Sequence, residues 1–183
     1  MKIELIKKES VRISRWSGGE TREYTLYPQG ASYADRDFSF RISSATIEAL
    51  PSEFTRFEGY RRYLAMLDGD LQLNFNGVDR TYKMQDLFSF QSMDTIISYS
   101  KGNDFNLMLH HSITEEVVQV TDQPFQTDQP FVCLFALEVG EVKIDNQIFH
   151  LNPLDCLVLT NTNKLLIDIQ VKEKVIAAFW SIP

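Results

Sequence analysis

Residues 64–99, LAMLDGDLQLNFNGVDRTYKMQDLFSFQSMDTIISY, read as strand, glycine turn, strand, Asn-Gly turn, strand, aspartate, strand. Residues 134–169, LFALEVGEVKIDNQIFHLNPLDCLVLTNTNKLLIDI, keep that order with small gaps. Gly69 stands against Gly140, Asn76-Gly77 against Asp145-Asn146, and Asp86 against Asp155. Glycine and asparagine mark hairpin turns because their backbones enter the positive-φ region at low cost. Punctuation shared at matched positions indicates one β-unit used twice.

The rest of the chain agrees. Runs such as REYTLY, FSFRISSATI, YRRYLAML, FNLML, FVCLFAL and VIAAFW are short, rich in β-branched and aromatic residues, and separated by Gly, Pro, Asn or Asp. ITEEV, residues 113–117, is the best helical stretch and is too short to change an all-β class. A glycine, a hairpin, a return strand and an acidic residue ahead of a buried strand form the rhythm of a cupin barrel. Two such units predict a bicupin, two jelly-roll barrels in one chain. Residues 1–110 are expected to form the first and 111–183 the second, closely packed, with TDQPFQTDQPF (residues 121–131) as a polar connector.

Composition narrows the function. The 183 residues are 44% hydrophobic, enough to bury a core, and carry a net charge of −7 with a pI near 5.0. Such a balance argues against a general nucleic-acid binder, which needs a basic stripe to neutralise phosphates. No run nears the length of a membrane helix, and MKIELIKKES alternates charge with aliphatics, so a cytoplasmic protein without a membrane partner is expected. Cys133 and Cys156 lie in apolar runs without metal-site spacing and read as buried free thiols.

Motifs for chemistry are sparse. His110, His111 and His150 are the only histidines. The adjacent pair, if on one strand, points to opposite faces, so no metal or other cofactor is expected. Nucleophile-elbow and phosphate-loop patterns are absent. Arginine is the informative residue type: all nine lie between Arg12 and Arg80. Its two-pronged donor set suits a carboxylate. Alternation places Arg22 with Tyr24 and Leu26, opposite Thr21, Glu23 and Thr25. It sets Arg41 beside Ser43, Ala45 and Ile47, and Arg62 beside Leu64 and Met66. A guanidinium aligned with aliphatics either reaches solvent at a strand end or is buried and paired. Internal pairs such as Glu23 with Arg62, or Glu20 with Arg22, fit the pattern as well as a ligand does.

RWSGGETRE (15–23), DFSFRISSATI (37–47), FTRFEGYRRYLAMLDGDL (54–71) and DFNLM (104–108) together resemble the HutD/Ves family, in the family's order and at similar spacings. Two departures stand out. Only one residue separates Trp16 from Gly18-Gly19, and Phe57-Glu58-Gly59 lacks the family's proline. The resemblance implies a bicupin with a regulatory or sensor role in histidine utilisation or stress response. The combined expectation is a non-enzymatic binder of a small carboxylate-containing metabolite, as monomer or homodimer, with the site in the first barrel. Arg22, Arg41 and Arg62 are the candidates for charge. Thr21, Glu23 and Asn106 are those for orientation, and Trp16, Phe40, Tyr60 and Met108 those for walls. The rival readings are a cofactor-free isomerase or hydrolase using Glu23 as base, and a protein-interaction scaffold.

Overall fold

The computed structural model describes residues 1–183 and is all-β apart from one 3-10 turn at Lys8–Ser10. The first strands are β1 (Lys2–Ile6), β2 (Ile13–Trp16), β3 (Gly19–Tyr27), β4 (Phe40–Ile47), β5 (Ser52–Glu53), β6 (Tyr60–Met66), β7 (Leu71–Phe75), β8 (Val78–Tyr82), β9 (Phe88–Gln91), β10 (Ile96–Ser98) and β11 (Gly102–His110). They are followed by β12 (Val117–Thr121), β13 (Phe125–Thr127), β14 (Phe131–Ala136), β15 (Gly140–Ile144), β16 (Gln147–Leu151), β17 (Cys156–Thr160), β18 (Ile167–Val171) and β19 (Val175–Trp180). No helix is long and apolar enough to cross a membrane.

Two compact units result, Arg12–His111 and a discontinuous unit of Met1–Val11 with Ser112–Pro183. This partition differs from the sequence-drawn one at the start of the chain. β1 pairs antiparallel with β17 along its whole length, from Lys2 opposite Thr160 to Ile6 opposite Cys156. The lysine after it is tied to the same unit: Lys7 Nζ lies 2.8 Å from Asp155 Oδ2, and the Lys8 N–H donates to Asp155 Oδ1 at 3.0 Å. The stretch read as a connector also belongs inside this unit, since Phe125–Thr127 pairs with β18 as β13. ITEEV forms no helix, and β12 begins at its last residue.

Each unit is a pair of antiparallel sheets. In Arg12–His111 the sheets run β2-β3-β4-β11-β6-β9 and β5-β10-β7-β8. In the other unit they run β1-β17-β14-β19-β12 and β13-β18-β15-β16. The internal repeat extends to individual hydrogen bonds. Asn76 and Asp145 both open their hairpins at positive φ, 50° and 49°. The Asn76 N–H donates to Thr95 O, and the Asp145 N–H to Asp168 O, both at 2.9 Å. Asp86 Oδ2 accepts from the Lys83 N–H and Asp155 Oδ2 from the Asn152 N–H, again both at 2.9 Å.

The interiors differ. The discontinuous unit is filled with aliphatics, among them Val132, Leu134, Ile144, Leu157, Leu159, Ile167 and Ile169. Arg12–His111 holds two separate apolar clusters. One is Leu64, Met66, Leu71, Leu73, Phe88, Phe90 and Ile96; the other is Phe38, Phe57, Tyr60 and Met108. Buried polar residues occupy the same unit: Arg41, Ser43, Arg62, Asp104 and Asn106.

Candidate functional site

The polar interior comes from strand alternation on the six-stranded sheet. β4 and β11 pair with Ser43 opposite Asn106 and Arg41 opposite Met108, and β11 and β6 with Met108 opposite Arg62. Residues opposite one another share a face, so Arg41, Ser43, Arg62 and Asn106 all face inward, with Asp104 two residues before Asn106. They line a cavity of about 340 Å³ together with Thr21, Ala45 and Ile47. The β2–β3 hairpin contributes Ser14, Arg15 and Trp16, and the segment around β5 contributes Ser52, Glu53, Phe54 and Thr55. Tyr33 completes the wall and packs against Phe57 at 4.7 Å between ring centroids.

The two buried guanidiniums are held differently. Arg41 Nε donates to Glu23 Oε2 at 2.6 Å, its Nη1 to Ser43 Oγ at 3.1 Å, and its Cζ stands 4.3 Å above the Tyr33 ring. Arg62 has only long polar contacts, Nε to Asn106 Oδ1 at 3.4 Å and Nη1 to Thr55 O at 3.3 Å. Its guanidinium is flanked by Phe54 and Phe90 at 5.3 and 5.1 Å. Burial is the main reason that Arg62 falls to a pKa of about 10, with Tyr33 and Asp104 opposing the fall and Arg41 adding to it. Asp104 is 3% exposed. Burial lifts its carboxyl to about 6 against the pull of the Ala45 N–H, Arg62 and Arg41. The Ala45 N–H donates to Asp104 Oδ1 at 2.8 Å.

Of the residues expected at the site, Trp16, Thr21, Arg41, Arg62 and Asn106 line the cavity. The other five lie elsewhere. Glu23 stands behind Arg41 as its counter-ion. Arg22 is on the opposite sheet face, 2.8 Å from Glu20 Oε1 and 3.4 Å from Thr46 Oγ1. Phe40 occupies an even position of β4, away from the cavity, and stacks on Tyr27 at 5.2 Å. Tyr60 and Met108 belong to the inward-facing aromatic cluster, where the Tyr60 hydroxyl donates to Phe38 O at 2.6 Å.

Two sequence readings need correction. A β-bulge between Glu23 and Thr25 breaks the alternation of β3. Glu23 stays opposite Ser43, but Leu26, opposite Arg41, moves to the face of Thr21 and Glu23. The expected separation of His110 and His111 also fails. β11 ends at His110, so strand alternation does not reach His111, and the two rings lie 4.1 Å apart. His111 Nδ1 sits 3.1 Å from Gly59 O.

The donor set does not fit the metal that many cupins carry. No three His, Cys, Asp or Glu side chains converge, and the buried charges in this cavity are mainly guanidiniums, which oppose a divalent cation. The arrangement instead offers directed N–H donors and one buried carboxyl, with aromatic walls.

The family model described as HutD matches residues 8–177. Protein Ves of Escherichia fergusonii is 32% identical over 129 residues, 67% of this chain and 64% of that protein, so the match spans under two thirds of the relative's length. The structure of HutD from Pseudomonas fluorescens SBW25, in a formate condition, superposes with a TM-score of 0.84 at 24% identity, covering 98% of both chains. A cupin 2 conserved barrel domain protein from Leptotrichia buccalis shares the fold at a TM-score of 0.59 and 10% identity, over 100% of this chain and 98% of its own.

Proposed function

The chain belongs to the HutD family, and on that premise we propose that it is a non-enzymatic binder of a small anionic metabolite, held in the cavity of the Arg12–His111 barrel. A regulatory or sensor role is the one that the family resemblance implies for such a binder. The observation that carries the reading is Arg62. A guanidinium 7% exposed, with two polar contacts of 3.3 and 3.4 Å and no direct carboxylate partner, is poorly compensated for its lost hydration. A ligand carboxylate would supply the missing bidentate partner. The aromatic rings of Phe54 and Tyr33 would cover the rest of a molecule of that size.

Glu23 speaks for binding over catalysis. A general base needs a carboxylate free to take a proton from the substrate, and Glu23 is engaged with Arg41 at 2.6 Å.

The test is a thermal-shift screen of small carboxylates. A ligand that binds only the folded state raises stability by mass action, about 2.7 kcal/mol at a hundredfold excess over Kd. Arg62→Ala is expected to remain folded and to lose the shift. If no small carboxylate moves the melting temperature of the unaltered chain, the reading is wrong.

A further inference from the structure

The cavity buries one carboxyl, Asp104, among charges from the strands around it, with Arg15 of β2 and Glu53 of β5 at its exposed rim. Arg41 faces Asp104 from β4 and Arg62 from β6. Glu23 reaches the group through Arg41 from β3, and Asp68 acts on it from the turn after β6. Tyr33 adds to the field at Arg62. Asp104 Oδ1 is committed to the Ala45 N–H, which leaves Oδ2 for the cavity.

Charge counting among the buried groups leads to a definite ligand class. Arg15, Glu53 and Asp68 are exposed and screened by water, and Glu23, 39% exposed, is spent on Arg41 as an ion pair, so Arg62 and Asp104 are the charges left to balance inside the cell. Without ligand, the cell is neutral only when Asp104 is ionised. With a monovalent anion bound, it is neutral only when Asp104 is protonated. A dianion leaves a surplus negative charge in either state, and uncompensated charge is strongly disfavoured away from water.

We infer that the cavity selects a monovalent carboxylate and that the ligand's charge replaces that of Asp104, which takes up one proton from solvent on Oδ2 and donates it in a hydrogen bond to the bound acid. No covalent bond changes; the proton comes from water and returns there on release. Asp104 is then a specificity-determining residue, and affinity rises as pH falls. Its carboxyl, already raised to about 6, needs only the added negative neighbour to be protonated at neutral pH. The inference rests on the reading of the cavity as a carboxylate site.

Calorimetric titration of the full chain with butyrate and with succinate, at about pH 6 and about pH 8, tests it. Butyrate is expected to bind more tightly than succinate. Its association constant should fall about tenfold per pH unit above the Asp104 pKa. Repeating the titration in buffers of different ionisation enthalpy should report uptake of about one proton at the higher pH. Asp104→Asn should bind butyrate with little pH dependence and no proton uptake. Butyrate binding that is flat with pH, releases no buffer heat, or is weaker than that of succinate overturns this inference and leaves the carboxylate site standing. The buffer comparison needs no variant, so it decides the matter even where Asp104→Asn fails to fold. If neither acid binds at either pH, the carboxylate site itself fails, and the inference with it.

Discussion

Asp104 carries the clearest pH signature. An aspartate whose folded pKa lies above its unfolded one binds its proton more tightly in the native state. The stability this contributes is fully present below the ordinary aspartate range and is lost as pH rises through about 6. Asp104→Asn keeps an oxygen for the Ala45 N–H and removes the charge. Asp104→Asn is therefore expected to lose the decline in stability, roughly 2–3 kcal/mol, that this carboxyl imposes on the unaltered chain between about pH 4 and about pH 8, as read from melting temperatures across that range. Much of this site was legible residue by residue. Once Arg41 is assigned to a strand, alternation alone supplies Ser43, Ala45 and Ile47; the same rule leads from Asn106 to Asp104 two positions earlier, a residue missing from the expected set. What alternation cannot supply is the wall from Tyr33 and Ser52–Thr55. These come from a loop and a two-residue strand without periodicity, and tertiary packing alone brings them to Arg62.

At the scale of elements, the hairpin of β2 and β3 sets the two units apart. The sheet of the discontinuous unit ends at β12, whereas the corresponding edge in Arg12–His111 carries β3 and β2 beyond β4. That extension supplies Ser14, Arg15, Trp16 and Thr21 to the cavity. Its two glycines are structural. The Gly19 φ is +152°, and a Cβ there would stand 1.9 Å from Thr46 O, while one on Gly18 would strike the Trp16 ring. The bulge after Glu23 leaves no mark in the alternation. Period-two reading shows that Arg22 and Glu23 face opposite ways, but not where the strand breaks step. A second element-level contrast concerns the paired turn aspartates. Both cap their own turns, but only Asp155 also holds Lys7 and the Lys8 N–H. Burial pushes its carboxyl up, yet Lys7 and the two N–H donors prevail and hold it below the ordinary range, so its contribution is present above that range and fades in acid. Asp155→Ala is expected to cost about 2–3 kcal/mol and Asp86→Ala about 1, as read by urea denaturation near neutral pH. Equal costs would mean that the Lys7 latch adds nothing.

For the whole molecule, the duplication was legible because turns have strict backbone demands that survive where side chains diverge. Asn76 and Asp145 occupy the same positive-φ position, and Gln85 and Leu154 another, at 68° and 71°. The partition of the chain was not legible. KIELI, residues 2–6, carries no mark of its partner, because an edge strand needs only alternation and a free row of hydrogen-bonding groups. The contiguous unit has its own apolar clusters and contains no strand from outside Arg12–His111. A fragment of residues 12–111 is accordingly expected to fold alone with a cooperative thermal transition. A fragment that stays unfolded in circular dichroism would contradict this.

The pairing of β1 with β17 has a consequence during biosynthesis. Lys2–Ile6 leaves the ribosome about 150 residues before Cys156–Thr160, a wait of roughly 10–30 s at ordinary translation rates. If residues 12–111 fold alone as expected above, that barrel closes in the interval while β1 waits unpaired. Lys2 and Glu4, the charged residues of this strand, oppose its pairing with neighbouring polypeptides on the same message before its late-arriving mate appears.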